Sequence, residues 1–135
     1  MTPKKREESN KWAEKEKGLK PLKNLLHPRV KGFMATINSL RTEMDCIYDL
    51  TFSGDVPSMG KVLMGVANTT IHIHVRRFDI SRVPQSDKEM ENWCRDLWYS
   101  KDDLLEQFKK NNTFPGKYDN PFKVNHLELH KLKSK

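Results

Sequence analysis

The residues of this chain with the clearest chemical potential lie in the run L-L-H-P-R-V-K-G-F, residues 25–33. A short apolar stretch ends at Pro28, the cations Arg29 and Lys31 follow, and an amphipathic pattern then begins. In α/β proteins, strand ends at helix N-termini bind anionic ligands, and an arginine can hold a phosphate through two parallel N–H groups. The residues alone leave two interpretations about equally open, a phosphate site and a surface turn with solvated charges.

A second group of candidates lies on a β-rich stretch, where His72 and His74 share a face with Arg76 and apolar residues point the other way. A zinc site would need a third ligand and neutral imidazoles, and the neighbouring arginines disfavour a cation. The alternation therefore predicts half-exposed strand histidines rather than a metal site.

His74 and Asp79 also have the spacing H-x-x-x-x-D, in which a histidine acts as general base for a hydroxyl and an aspartate orients its imidazole. That arrangement requires a loop that opens a helix, because the turn brings the two side chains together. On an extended strand, five positions place the side chains on opposite faces and about 16 Å apart at ~3.3 Å per residue. We therefore exclude this pair as a catalytic dyad.

Alternating helices and strands are expected to position these candidates. The apolar spacing predicts a charged helix over residues 2–18, a strand over 22–27, a helix over 33–44, a strand over 46–53, a short helix over 59–66 and a strand over 70–78. The first helix has only Trp12 and Ala13 as apolar contacts, and a capping box of Ser86 and Glu89 opens a last helix that ends at residues 111–112. This order predicts an α/β fold with a small, mostly parallel sheet. Because such a sheet needs cover on both faces, we expect further strands to be missing.

Length and composition bound the class of protein. The 135 residues suit one domain, with 36% hydrophobic and 32% charged residues. A net charge of +7 favours anionic partners, but the aromatic residues fall at core spacings rather than between cations, which argues against nucleic acid. No segment approaches the ~20 apolar residues of a transmembrane helix, and the N-terminus has no apolar signal-peptide core. We expect a soluble or membrane-peripheral chain.

Several separated blocks of the chain are together similar to one protein family. The blocks comprise residues 18–33, 47–51, 71–77, 87–102 and 114–115. In this order they resemble the C-terminal part of eukaryotic lysophosphatidic acid acyltransferases (1-acyl-sn-glycerol-3-phosphate acyltransferases). The run centred on Pro28 keeps the family's last motif, which reads leucine, any residue, Pro-Arg, Thr or Val, then Lys-Gly-Phe. The resemblance implies that Pro28, Arg29 and Lys31 bind substrate.

The resemblance also implies an activity and a place in the cell. The family's enzymes work at the endoplasmic reticulum or a related membrane and transfer an acyl chain from acyl-CoA to a lysophospholipid, typically giving phosphatidic acid. They need no metal and no bound cofactor. The resemblance divides the chain into a charged helix from the acyltransferase core (1–17), an acyltransferase C-terminal domain (18–112) and an extended basic tail (113–135).

Two motifs of the family are missing from this sequence, the phosphate-binding E-G-T-R and the catalytic His-Asp pair. The chain begins M-T-P-K-K, at the point where the family's E-G-T-R is followed by a lysine-rich helix. We therefore expect Met1 to be an internal methionine of a longer acyltransferase. We also expect the chain to lack a catalytic residue and to be inactive alone.

Two other interpretations of the basic chain remain open. One is a nucleic-acid binder, whose affinity would fall steeply with salt. The other is a non-enzymatic module that docks on an anionic membrane surface. The cations of that second interpretation are Lys4, Lys5, Arg6, Arg29 and Lys31.

Overall fold

Helices and strands alternate along the chain in the computed structural model, which describes residues 2–54, 58–65 and 70–116. The elements are α1 (Pro3–Lys17), α2 (Val30–Leu40), β1 (Cys46–Gly54), α3 (Met59–Leu63), β2 (Ile71–Asp79), a 3-10 helix (Ile80–Arg82) and α4 (Asp87–Asn111). The expected mixed α/β class is confirmed. Within the described ranges, no helix combines the length and apolar character needed to cross a membrane. Most of the expected basic tail, residues 117–135, lies outside the described residues.

The two strands pair antiparallel, so the expectation of a mostly parallel sheet is wrong. Their register runs from Cys46 opposite Asp79 to Gly54 opposite Ile71. A parallel pair would need a crossover that returns along the whole strand. The helix between the two strands, α3, has only five residues, so no long crossover helix packs on the sheet. The antiparallel register makes β1 and β2 a hairpin.

The strand expected over residues 22–27 is absent, and these residues form an irregular segment, bent at 23–25, between α1 and α2. Apolar residues and a following proline indicated a strand. The backbone of this segment instead bonds to side chains of α1 and α4. Side-chain acceptors thus take the place of a neighbouring strand.

The hairpin turns a polar face toward α4 and an apolar face outward. Along β1 the exposed residues alternate with the buried Asp49 and Thr51. On β2, His72, His74 and Arg76 share one face, as the sequence predicted, and this face is the inner one. The alternating apolar residues lie on the outer face. We call these the inner sheet face and the outer sheet face.

The hydrophobic core lies where α2, α4 and the base of the hairpin meet. Ile37, Val83 and Met90 form its buried centre. The partly buried residues packed against this centre are Phe33, Met34, Met44, Ile47, Ile80 and Trp93. On α1, Ala13 is fully buried but Trp12 is exposed, so only one of the two predicted apolar contacts forms.

The helix ends agree with the predicted signals. The hydroxyl of Ser86 accepts a hydrogen bond from the Glu89 N–H at 3.4 Å and donates to the Glu89 carboxylate at 2.6 Å. Asn112 has a φ of 54°, and its N–H bonds to the Phe108 carbonyl, which ends α4. Gly18 has a φ of 59° and ends α1 in the left-handed conformation that glycine adopts most easily.

Candidate functional site

The segment that leads into the basic run is anchored by a buried carboxylate of α4. Asp102, which is 6% exposed, accepts hydrogen bonds from the N–H groups of Lys23 at 2.8 Å and Asn24 at 2.7 Å. The Asn24 amide donates to the main-chain carbonyl of Asp102 at 3.2 Å and to the Glu106 carboxylate at 2.9 Å. Hydrogen bonds to a charged group are each worth about 1.5–3 kcal/mol. Asp102 therefore fixes the start of the basic run against α4.

Helix α1 holds the same segment from the other side. The Asn10 side chain donates to the Leu22 carbonyl at 2.9 Å and accepts from the Leu22 N–H at 3.0 Å. Ser9 accepts from the N–H of His27 at 3.1 Å, and Arg6 donates to the Lys23 carbonyl. The segment is thus clamped between α1 and α4, and the basic run leaves this clamp at a defined position.

The two cations of the run lie at the N-terminus of α2. Arg29 occupies the N-cap position without a side-chain cap, and Lys31 lies in the first turn, which contains no acidic residue. Both side chains are exposed, and within residues 2–54, 58–65 and 70–116 neither takes part in an ion pair or a side-chain hydrogen bond. A helix N-terminus carries a partial positive charge that favours anions. Two cations without partners among the described residues therefore lie at the positive end of α2.

His27 and Pro28, which directly precede Arg29, are partly buried. The Nε2 atom of His27 is buried without a hydrogen-bond partner. Burial lowers the pKa of His27, and the charge of Arg95 lowers it further. The imidazole is therefore neutral at pH 7, and the positive charge of the site comes from Arg29 and Lys31.

An open cleft of about 600 Å³ lies beside the clamp, between residues 18–23 and α4. Its lining includes Lys20 and Lys23 but also the carboxylates of Asp96 and Asp103. These opposite charges offset one another, so the cleft suits a phosphate less well than the two unpaired cations of α2.

His74 and Asp79 are not brought together. β2 stays extended through both residues, which places them on opposite faces, as the sequence predicted. The imidazole of His74 packs against the ring of Phe114, with centroids 5.6 Å apart, while Asp79 forms an ion pair with Arg77. Burial, followed by the charge of Arg76, lowers the pKa of His74. In the described part of the chain, the Nδ1 atom of this imidazole is buried without a hydrogen-bond partner.

Sequence reasoning missed the polar network of the inner sheet face. The Asp49 carboxylate accepts from Arg76 at 2.7 and 3.0 Å and forms a second ion pair with Lys101 of α4. Arg76 also donates to Ser100 at 2.7 Å. These partners lie 24–52 positions apart in the sequence, so no local spacing identified them. The network joins the sheet to α4 and contains no open ligand position.

Comparison with known proteins identifies the family. A family profile described as the acyltransferase C-terminus matches residues 61–133, more than half of the chain. The probable 1-acyl-sn-glycerol-3-phosphate acyltransferase 5 of Arabidopsis thaliana is 34% identical over 103 residues, covering 75% of this chain and 28% of the relative. Lysocardiolipin acyltransferase 1 of Danio rerio is 32% identical over 126 residues, covering 90% of this chain and 32% of the relative. No solved structure matches significantly.

The matches overlap most of the described fold but not all of the candidate site. The family profile covers the last residues of α3 and all of β2 and α4, and the basic run lies before its first residue. The chain spans about a third of the length of these two relatives. The profile match and the relatives together show that this chain belongs to the lysophospholipid acyltransferase family and carries its acyltransferase C-terminal domain.

Proposed function

We propose that this chain is the C-terminal segment of an acyl-CoA-dependent lysophospholipid acyltransferase and that it contacts the phosphate of the acceptor. The observation that carries the proposal is the pair of exposed, unpaired cations, Arg29 and Lys31, at the N-terminus of α2. Pro28 ends the clamped segment directly before them. The proposed acceptor is lysophosphatidic acid, whose phosphate is a monoester and can carry two negative charges. The product is phosphatidic acid.

The chemistry of acyl transfer requires a group that this chain is proposed to lack. The acceptor hydroxyl oxygen attacks the thioester carbonyl of acyl-CoA, the carbon–sulfur bond breaks, and coenzyme A leaves as its thiol. A general base takes the hydroxyl proton and contributes about 10²–10⁴-fold to the rate. His74 cannot be that base together with Asp79, since the two lie on opposite faces of β2. The chain alone is therefore proposed to be inactive, with the base supplied by the rest of a longer enzyme.

The remaining features of the proposal follow the family. Acyl-CoA is the co-substrate, and neither a metal nor a bound cofactor takes part. The full-length enzyme is proposed to act at the endoplasmic reticulum or a related membrane, where the anionic surface would attract a chain of net charge +7. Nucleic acid is not a proposed partner.

The phosphate contact can be tested with a water-soluble probe of the head group. Glycerol 3-phosphate is titrated into the full chain and followed by NMR chemical shifts, with glycerol as the uncharged control. The variant Arg29→Gln/Lys31→Gln is expected to weaken binding at least about tenfold, the equivalent of ~1.4 kcal/mol. The variant Lys4→Gln/Lys5→Gln removes the same charge from the exposed part of α1 and is expected to bind nearly as the parent chain does. An equal loss in both variants would show attraction by net charge alone and would contradict the site.

The inactivity of the chain needs a separate assay. Purified chain is incubated with acyl-CoA and lysophosphatidic acid, and the released thiol and the phosphatidic acid are both measured. We expect no turnover above the uncatalysed rate. Turnover that is lost on His74→Ala would overturn the exclusion of His74 as a base.

A further inference from the structure

The outer sheet face is a continuous apolar surface that the described part of the chain leaves uncovered. Its six side chains are 42–61% exposed. They are Tyr48, Leu50, Phe52, Ile71, Ile73 and Val75. Leu50 lies opposite Val75, and Phe52 lies opposite Ile73, so the apolar side chains form adjacent cross-strand pairs rather than scattered contacts.

The connection between the two strands extends this apolar character. Met59, Leu63 and Met64 are 73–80% exposed. Nine of the twelve large hydrophobic side chains that are exposed in the described ranges, six on the outer sheet face and three here, therefore lie within residues 48–75. Exposed apolar residues are common when single, but a cluster of this kind marks an interaction surface.

Arg77 and Lys61 are the cations beside the described part of this surface. Arg77 lies on the same face of β2, directly opposite Tyr48, and Lys61 lies exposed in α3. The one carboxylate on this face of the two strands is Asp79, and its ion pair with Arg77 offsets that charge. Lys61 is therefore the cation beside the apolar surface that takes part in no ion pair among the described residues.

We infer that the outer sheet face and α3 dock on the interfacial region of a phospholipid bilayer that contains anionic lipid. Aromatic and aliphatic side chains beside a cation are typical of elements that lie in the interface plane, and the flexible side chains of Met59 and Met64, in and just after α3, can adapt to disordered acyl chains. At this depth the unpaired strand edges still reach water and head groups, which satisfies their backbone groups.

Charge favours this occupant over a second copy of the chain. A twofold pairing of outer sheet faces would bring together two chains that each carry a net charge of +7. An anionic lipid surface gains from the same charges, at about 1 kcal/mol for each cation near it. The inference goes beyond the proposed function, because it requires neither acyl transfer nor the Arg29–Lys31 contact.

Vesicle co-sedimentation of the full chain tests the inference. Vesicles of phosphatidylcholine, with and without phosphatidic acid, are compared at low and high salt. The variant Leu50→Thr/Ile73→Thr/Val75→Thr removes apolar surface but keeps residues that favour strands. We expect it to lower the partition coefficient at least about tenfold, since burying one such side chain fully is worth ~1.5–3 kcal/mol. The control Trp12→Gln/Leu40→Gln changes exposed apolar residues away from the sheet and is expected to bind as the parent chain does.

A second pair of variants separates the charges of the hairpin from the net charge. Lys61→Gln/Arg77→Gln is expected to lose most of the added binding that phosphatidic acid provides. Lys4→Gln/Lys5→Gln makes the same change of charge on α1 and is expected to keep it. Circular dichroism and urea unfolding confirm that each variant is folded before its binding is interpreted.

Four results would overturn the inference. These are no binding to either vesicle, equal binding of the threonine variant and the parent chain, an equal loss in both charge variants, and a dimer in lipid-free sedimentation velocity that the threonine variant dissociates. The last result would assign the surface to a second copy. Glycerol 3-phosphate binding by the threonine variant keeps the two proposals apart, because it depends on Arg29 and Lys31 and is expected to be unchanged.

Discussion

The two faces of one hairpin reverse the usual distribution of polar and apolar residues. Antiparallel sheets commonly pack an apolar face on the core and leave a polar face in water. Here the inner sheet face carries Asp49, Thr51 and Arg76 against α4, and the outer sheet face carries exposed apolar residues. The charged groups Asp49 and Arg76 are therefore paired within the chain, while the apolar surface of the hairpin stays exposed.

This difference shows what each face contributes. The inner sheet face joins hairpin and helix through a buried carboxylate with two cationic partners, and removal of one partner from such a group is costly. The outer sheet face adds little to the stability of the chain in water, because its side chains stay largely exposed after folding. Its apolar area becomes favourable only when something covers it.

The largest expected effect comes from breaking the inner network. Asp49→Ala leaves the partly buried Arg76 and Lys101 without their shared carboxylate and should lower the free energy of unfolding by about 3–4 kcal/mol, toward the lower end of the range for a buried pair. Urea unfolding followed by circular dichroism measures this change. Asp79→Ala removes the exposed ion pair of the same strand and should leave the midpoint almost unchanged, because such pairs contribute little. Equal losses in both variants would contradict the contrast between the faces.

A second buried carboxylate tests whether the cost comes from burial rather than from the sheet. Asp102→Ala leaves the N–H groups of Lys23 and Asn24 without their acceptor and should cost about 3 kcal/mol. Asp103→Ala, at the neighbouring exposed position, should cost far less. The same urea titration compares them, and amide hydrogen exchange at residues 22–24 should accelerate in the first variant only.

One inner residue is expected to stabilise the chain when its polarity is removed. Thr51 is 4% exposed, and its hydroxyl has no hydrogen-bond partner. Thr51→Val keeps the shape and the strand preference and should raise the free energy of unfolding by about 1 kcal/mol. Thermal unfolding measures the shift. A loss of stability would mean that the hydroxyl has a partner in solution.

The inner histidine should make stability depend on pH. Burial lowers the pKa values of His74 and His27 below their usual 6.5. As pH falls through 6.5, the unfolded chain binds protons that the folded chain does not, so the free energy of unfolding decreases toward acid and is level above that pH. Urea titrations between pH 7.5 and 5.5 measure the slope, and His74→Gln should reduce it. An unchanged slope would exclude His74 as a contributor.

The smallest effect is expected on the outer sheet face. Leu50→Thr/Ile73→Thr/Val75→Thr alters three exposed side chains and should change the free energy of unfolding in water by no more than about 0.5 kcal/mol for each. The measurement is urea unfolding without lipid. A loss as large as that of Asp49→Ala would show that the outer sheet face is already packed in solution.

Local sequence signals predicted the elements whose cause is local. The capping box of Ser86 and Glu89 and the end of α4 at residues 111–112 could be predicted from the sequence, because their contacts span three or four residues. The alternation of β2 likewise placed His74 and Asp79 on opposite faces without knowledge of any neighbour. The cations of the candidate site, Arg29 and Lys31, were found in the same way, since they adjoin in sequence at a helix start.

Contacts between residues that are distant in the sequence could not be predicted from local signals. The apolar residues of 22–27 predicted a strand, but the segment is held by Asp102 and Asn10, and no spacing in the sequence signals these partners. The parallel sheet was wrong for a related reason. Alternation of helices and strands favours crossovers in general, whereas the direction of β2 is set by its pairing with β1, whose residues lie 17–33 positions away.

The sequence by itself determined the family, the mixed α/β class, the ends of α1 and α4 and the side of each strand on which a residue lies, because these depend on motif order, on capping residues and on the periods of helix and strand. The helix predicted over 33–44 instead runs from Val30 to Leu40. Only the tertiary structure decided which face of the hairpin would be covered. The sequence shows two faces of opposite polarity but not which of them meets α4. The choice follows from Asp49, which can be buried only where Arg76 and Lys101 both reach it.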